Sequence, residues 1–286
     1  MGLKPFVSED LLKMRFVGDP RVSPCGKKVA FVVTSVMEKE NGYGSAIWLW
    51  ESGADAGTKG DVGKEVDAGL GFLKQLTNLS ATPKWLDRSP RWSEDGDSIA
   101  FLSNRSVSQQ IWVLDLRGGE ARPVTSMIKG VSAFAWGGKD RLFFSAKEDT
   151  KEPDMREGST ARRITKLRYK FNGAGYLDDS YTQIWKLDLA TGTVEQLTEG
   201  RHNCGSPVPS PCGRYVCFTS ARTDDETADY LDLWLLDTLS GALRKLTESK
   251  GEAYGPVWTV EDRISYIGHD RGVAPGAYPE IWGVET

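Results

Sequence analysis

Residues 89–103 read SPRWSEDGDSIAFLS, and they are followed by QIWVLDL at 110–116 and ARPVT at 121–125. Each apolar run is short, rich in Val, Ile, Phe and Trp, and bounded by Gly, Asp, Asn or Ser, which is the pattern of strands separated by tight turns. The same unit recurs. Its counterparts are DPRVSPCGKKVAFVV at 19–33, SAFAWGGKDRLFFS at 132–145, SPVPSPCGRYVCFTS at 206–220 and GPVWTVEDRISYIG at 255–268. A Trp-centred run follows in every copy, around Trp48, Trp112, Trp185, Trp234 and Trp282, at intervals of 64, 73, 49 and 48 residues. Four copies end on Leu-Thr or Val-Thr, at Thr77, Thr125, Thr198 and Thr247.

Each unit carries its own turn chemistry. Ser-Pro-x-Gly at 23–26 and 210–213, with Ser-Glu-Asp-Gly at 93–96, supplies turn formers where the first hairpin must reverse. Asp115, Asp188 and Asp237 follow the Trp strands, and Gly118, Gly192 and Gly241 come shortly after, as in Asx-type turns. Four-stranded units repeating near 50 residues predict an all-β fold, a β-propeller of about five blades. The blades are expected at 19–77, 89–125, 131–198, 204–247 and 254–286, with inner strands starting near Pro20, Pro90, Ala133, Pro207 and Pro256. The fifth copy runs out before an outer strand, so an open ring is expected. Eight of the ten tryptophans fall at two equivalent positions, and this regularity marks them as packing residues between blades rather than an aromatic ligand cage.

Three segments stand outside the unit. Residues 1–18 are expected to form an N-terminal helical segment, with a short helix over 8–18, Ser8 as N-cap and Gly18 as its stop. Residues 51–71 are Gly-, Asp- and Ala-rich and read as a mobile loop. Residues 147–181 form an insertion in the third unit.

The 286 residues, with 27% charged and 39% hydrophobic side chains, suit a folded chain that buries a core. A net charge of −4 argues against a nucleic-acid partner. No run approaches the roughly 18 apolar residues of a membrane span, and residues 1–16 lack the apolar stretch of an export signal. Four cysteines are too few for a disulfide scaffold. A cytoplasmic protein without membrane contact and without cofactors is expected.

The unit SPxWSxDGxxIAFxS … IWxLDL … LT resembles the repeat shared by TolB-like proteins and the propellers of prolyl-oligopeptidase-type serine peptidases. ITKLRYKFNGAGYLDDSYTQIWKLDL at 164–189 and EDLLKMRFVGDPRVSPCGKKVAFVV at 9–33 are similar to the N-terminal propeller of the acylaminoacyl-peptidase branch. The resemblance implies a partner, a C-terminal α/β-hydrolase domain carrying the Ser, Asp and His of a catalytic triad. No Gly-x-Ser-x-Gly occurs in this chain, and its two histidines, His202 and His269, fall between strands, so no catalytic residue is expected in it. Family propellers typically have about seven blades, which makes this chain look like a fragment or a shortened coding sequence. The implied role is a non-catalytic gate that admits short or N-acylated peptides to the hydrolase domain. The rival reading is a free-standing TolB-like propeller that binds a protein partner. A WD40 scaffold is disfavoured by the absence of any Trp-Asp dipeptide.

Among individual residues, ARRITKLRYK at 161–170 carries five bases and no acid. Arg168, Tyr169, Lys170 and Tyr176 are the candidate substrate-binding set, suited to a substrate carboxylate or to the partner domain. Their alternative reading is a solvated or docking strand pair. His202, Cys204, Cys212 and Cys217 lie close in sequence but lack zinc-ligand spacing. Cys25 and Cys212 instead match the turn position of Asp95, and Cys217 matches Ala100 in a buried strand, so neither a metal nor a disulfide is expected. The acidic pairs at Asp178-Asp179 and Asp224-Asp225-Glu226 read as solvated loop residues, with recognition of a substrate amino group as their functional alternative.

Overall fold

The structure, a computed structural model, describes residues 5–53, 71–78, 85–148, 164, 167, 169–172, 175–177, 180–223, 230–248, 251–259, 262–269, 271 and 278–286. The chain divides into two compact units, Met1–Ser126 and Met127–Thr286.

In the first unit, the first sheet is formed by β1 (Arg15–Val22), β2 (Lys28–Met37), β3 (Gly42–Glu51) and β4 (Phe72–Gln75), in that order. The second is formed by β5 (Asp87–Trp92), β6 (Ser98–Ser103), β7 (Gln110–Asp115) and β8 (Arg122–Pro123), again in chain order. All their pairings are antiparallel. Val32 and Ile47 of the first sheet and Phe101 and Leu114 of the second share one buried cluster. Trp92 of the second sheet donates its indole N–H to the Arg21 carbonyl of the first at 2.8 Å. Trp92 thus works as an inter-sheet packing residue with a satisfied polar end.

In the second unit, the third sheet contains β9 (Val131–Trp136), β10 (Arg141–Lys147), β13 (Thr182–Asp188) and β14 (Val194–Gln196). A separate hairpin of β11 (Lys170–Phe171) and β12 (Gly175–Tyr176) lies within the β10–β13 connection. The fourth sheet has β15 (Val208–Pro209), β16 (Tyr215–Ser220), β17 (Asp232–Asp237) and β18 (Leu243–Lys245). Among the described residues the fifth has three strands, β19 (Ala253–Trp258), β20 (Arg263–Gly268) and β21 (Glu280–Glu285), and no outer strand, as expected. Phe143 and Ile184 pack against Val216, Phe218 and Leu236 between the third and fourth sheets. Cys217, Leu233 and Leu235 pack against Ala253 and Ile264 between the fourth and fifth. Trp258 donates to the Val208 carbonyl at 2.8 Å, repeating the contact made by Trp92.

The repeated turn residues have the roles read from the sequence. Gly26, Gly96 and Gly213 sit at φ of +73°, +74° and +68°, a left-handed conformation that closes each first hairpin and that a Cβ penalises. The Asp115, Asp188 and Asp237 carboxylates accept backbone N–H groups two residues on, at 2.9, 3.0 and 2.9 Å. The terminal threonines are buried. Thr125 Oγ1 accepts the Ile111 N–H and donates to Gln110; Thr198 does the same with Ile184 and Gln183, and Thr247 with Leu233 and Asp232. This explains the Leu-Thr endings, because a buried backbone donor left open would cost the full desolvation of that group.

The N-terminal expectation needs correction. The helix is a single 3-10 segment, Ser8–Lys13, and its N-cap is Val7 rather than Ser8. Asp10 reaches back to the Val7 N–H at 3.2 Å and holds Lys13 at 2.8 Å, while the Ser8 hydroxyl donates to Glu9. Met14 is already extended, and residues from Arg15 to Gly18 pair with β2 instead of continuing the helix. Pairing with an adjacent strand outweighs the weak propensity of one helical turn. The glycine-rich stretch at 54–70, the core of the expected loop, lies outside the described residues. Among the described residues, no helix is long and apolar enough to cross a membrane.

Candidate functional site

The β10–β13 connection is the one long excursion from the repeat within the second unit, and the β11–β12 hairpin is its described part. Lys170 faces Tyr176, and Phe171 faces Gly175. The Leu177 N–H extends the ladder to the Tyr169 carbonyl at 2.9 Å. Gly175 sits at φ +72°, which places the reversal where only glycine is unstrained. The rings of Tyr169 and Tyr176 lie 6.2 Å apart at 29°, and the Lys170 ammonium stands 5.4 Å from the Tyr176 ring centre. Such an exposed cation–π contact contributes about 0.5–1 kcal/mol, enough to orient the lysine without burying its charge.

The hairpin presents apolar area to solvent. Phe171 is 57% exposed and Tyr176 52%, and Ile164, Leu167, Tyr169 and Leu177 are exposed as well. Two-residue strands have little independent stability. An exposed cluster of aromatic and aliphatic side chains with an ammonium beside it has the chemistry from which binding surfaces are made. Of the four residues singled out from the sequence, the structure brings Tyr169, Lys170 and Tyr176 together, while Arg168 lies outside the described residues. Asp178, Asp179, Asp224, Asp225 and Glu226 lie outside them too.

The cysteines separate by position. Cys204 joins the core between the third and fourth sheets, and Cys217 joins the core between the fourth and fifth, so the two occupy opposite faces of one sheet. Cys212 is exposed in the β15–β16 turn, its thiol 3.3 Å from the Ser210 hydroxyl, and Cys25 repeats this contact with Ser23. These are the places where Asp95 accepts the Ser93 hydroxyl at 2.6 Å. Among the described residues no group of three His, Cys, Asp or Glu is arranged to hold a metal. Neither histidine ring hydrogen-bonds a serine hydroxyl among them, and His269 Nδ1 is buried without a partner.

The thiols should therefore react unequally. The Ser23 hydroxyl and the Lys27 backbone hold the Cys25 thiol below the usual range, and the Ser210 hydroxyl and the Arg214 backbone do the same for Cys212. Burial pushes Cys217 up to about 12 and also raises Cys204. The thiolate is the reactive form. Iodoacetamide at pH 8 is expected to modify Cys25 and Cys212 in the native chain, and Cys204 and Cys217 only after denaturation. Peptide mass mapping that finds native modification of Cys217 would contradict the placement.

One grouping escaped the sequence reading. At the loop end of the fourth sheet, Arg222 lies over the Trp234 ring at 5.4 Å, beside Cys204, and donates to the Glu199 carbonyl at 3.3 Å. Its nearest sequence signal is the Ser-x-Arg that ends the second strand in both the second and fourth units, at Arg105 and Arg222.

Comparison with known proteins bears on the fold. No family model matches the chain. An uncharacterized peptidase of Bacillus subtilis (strain 168), YuxL, is 27% identical over 233 residues, which cover 79% of this chain and 32% of the relative. The acylaminoacyl peptidase of Pyrococcus horikoshii superposes with a TM-score of 0.69 at 20% identity, over 96% of this chain and 40% of that one. A putative TolB from Agrobacterium tumefaciens superposes at 0.57 with 17% identity, over 95% of this chain and 83% of that one. The sheets are propeller blades of the kind shared by acylaminoacyl-peptidase and TolB-like proteins. The chain spans about a third of the length of its curated peptidase relative.

Proposed function

We propose that this chain is the non-catalytic, substrate-gating propeller part of a serine peptidase similar to acylaminoacyl-peptidase and dipeptidyl-peptidase enzymes, which act on short or N-acylated peptides. Its partner is a C-terminal α/β-hydrolase domain, which would supply the nucleophile, base and oxyanion donors that bond cleavage needs. The observation that carries this reading is the exposed hairpin, in which Tyr169, Lys170 and Tyr176 offer aromatic faces and a cation at the end of a blade. Arg168 adjoins them in sequence and belongs to the same proposed set. Aromatic faces bind a peptide backbone and its apolar side chains at low entropic cost, and the lysine favours ligands that bring a carboxylate.

The test is binding of an N-acetylated tripeptide to the full chain by calorimetry. Tyr176→Ala is expected to weaken binding by about 1–2 kcal/mol, as truncation of an aromatic anchor does, with the far-UV spectrum unchanged. Unchanged affinity in Tyr169→Ala and Tyr176→Ala would remove the hairpin from the site. The TolB likeness, which extends over most of that protein, supports a second reading in which the hairpin docks a protein partner. A stable protein complex disrupted by Tyr176→Ala, together with no peptide affinity, would favour it.

A further inference from the structure

The second and fourth sheets carry the same side-chain scaffold with three members exchanged, Cys204 for Asp87, His202 for Trp85 and Asp232 for Gln110, and the Asp232 carboxylate is engaged by Lys245 and Thr247. In the second sheet Asp87 pairs with Ser103, Ser103 with Gln110, and Arg105 follows two residues after Ser103. In the fourth sheet Cys204 bridges to Ser220, Ser220 pairs with Asp232, and Arg222 follows two residues after Ser220. Cys204 therefore stands where Asp87 stands, Arg222 where Arg105 stands, and Trp234 where Trp112 stands. His202 takes the place of Trp85, two residues before the exchanged position.

The exchange changes the charge balance. Arg105 is ion-paired to the buried Asp87 and enclosed by the Trp85, Phe101 and Trp112 rings at 5.0, 5.7 and 5.5 Å. Arg222 keeps its aromatic floor on Trp234 but has lost the carboxylate. Among the described residues its Nη1 is buried with no hydrogen-bond partner, while its Nη2 donates to the Glu199 carbonyl and the guanidinium stands beside the Cys204 thiol. A guanidinium stays charged at any physiological pH, so a buried N–H without an acceptor leaves a position where an anion would be strongly favoured. Arg222 is half-buried, and Gly200, at φ +105°, borders it: a Cβ there would stand 3.9 Å from Arg222 Nη2 and 3.8 Å from His202 Cδ2. The imidazole is smaller than the indole that it replaces.

We propose that Arg222 anchors a carboxylate-binding site at the loop end of the fourth sheet, in which a ligand carboxylate occupies the place that the Asp87 side chain fills in the second sheet. The group vacated is itself a planar carboxylate facing a guanidinium, so the site fits a carboxylic acid, either a small free acid or a peptide C-terminus. It is built on a different sheet from the β11–β12 hairpin and does not depend on the role proposed for it.

The experiment is calorimetric titration of the full chain with acetyl-Ala-Phe, its C-terminal amide, and propionate, at low ionic strength. The acid is expected to bind at least about tenfold tighter than the amide, a difference of about 1.4 kcal/mol. In chains carrying Lys170→Ala, so that the hairpin cannot select the acid, Arg222→Gln should abolish that preference. Cys204→Asp should abolish it too, because it rebuilds the internal pair of the second sheet, and it should raise the melting temperature. If Cys204→Asp does not fold, Arg222→Gln decides alone. Competition by propionate would identify the carboxylate alone as sufficient, and its absence would identify a peptide C-terminus; both support the site. Equal affinity for acid and amide, no binding of the acid at millimolar concentration, or a preference that survives Arg222→Gln in chains carrying Lys170→Ala would overturn it.

Discussion

Asp87→Ala is expected to cost about 3–5 kcal/mol of stability, measured by urea denaturation, because it strands a buried charge. The Asp87 side chain is 1% exposed and that of Arg105 13%. Three aromatic rings surround the guanidinium, so little water can replace the lost carboxylate. The main cost is the uncompensated arginine rather than the lost attraction. Replacing Asp87 and Arg105 together with leucines should therefore be milder than Asp87→Ala alone. A loss below about 1 kcal/mol for Asp87→Ala, the range of exposed ion pairs, would show that Arg105 finds another partner.

Phe143→Ala is expected to cost about 3–5 kcal/mol by the same measurement, through lost burial and the cavity left behind. Phe143 is fully buried in β10 and packs on Ile184 of its own sheet and on Val216, Phe218 and Leu236 of the next. The cavity would open between two sheets whose backbones are each fixed by their own ladders, so collapse around it is limited. Phe143→Leu should recover most of the loss. A small effect from Phe143→Ala would mean that the third and fourth sheets do not depend on this contact for their packing.

The blades were legible in the sequence because their determinants are local. The Ser-Pro-x-Gly turns, the Asp115, Asp188 and Asp237 carboxylates and the closing threonines all act within a few residues or within one hairpin, so each copy repeats the same signal. The segment from Arg15 to Gly18 departs from its helical expectation for the converse reason. Its capping residues and charges suit a helix turn, but its pairing with β2 is decided by a strand that begins at Lys28. The insertion is legible because it breaks the period, and its aromatic-cation pairing on Tyr176 follows from the register of a hairpin closed by Gly175. The Arg222 site was not legible. Cys204 and Arg222 are 18 residues apart, as are Asp87 and Arg105, and only the strand register shows that the first pair is the second with its acid removed. In the sequence Cys204 reads as one of three nearby cysteines, whereas the fold sends Cys204 and Cys217 to opposite faces of a sheet.

The proposed gate contacts peptide through the hairpin and breaks no bond. A ¹H–¹⁵N correlation spectrum of the full chain, recorded during titration with an N-acetylated tripeptide, tests both parts together. The account predicts that the amide signals of Tyr169, Lys170 and Tyr176 shift progressively, while the peptide's own signals remain those of the intact molecule throughout. Appearance of cleaved acetyl-amino acid, or saturating shifts confined to other blades while the hairpin signals stay fixed, would contradict it.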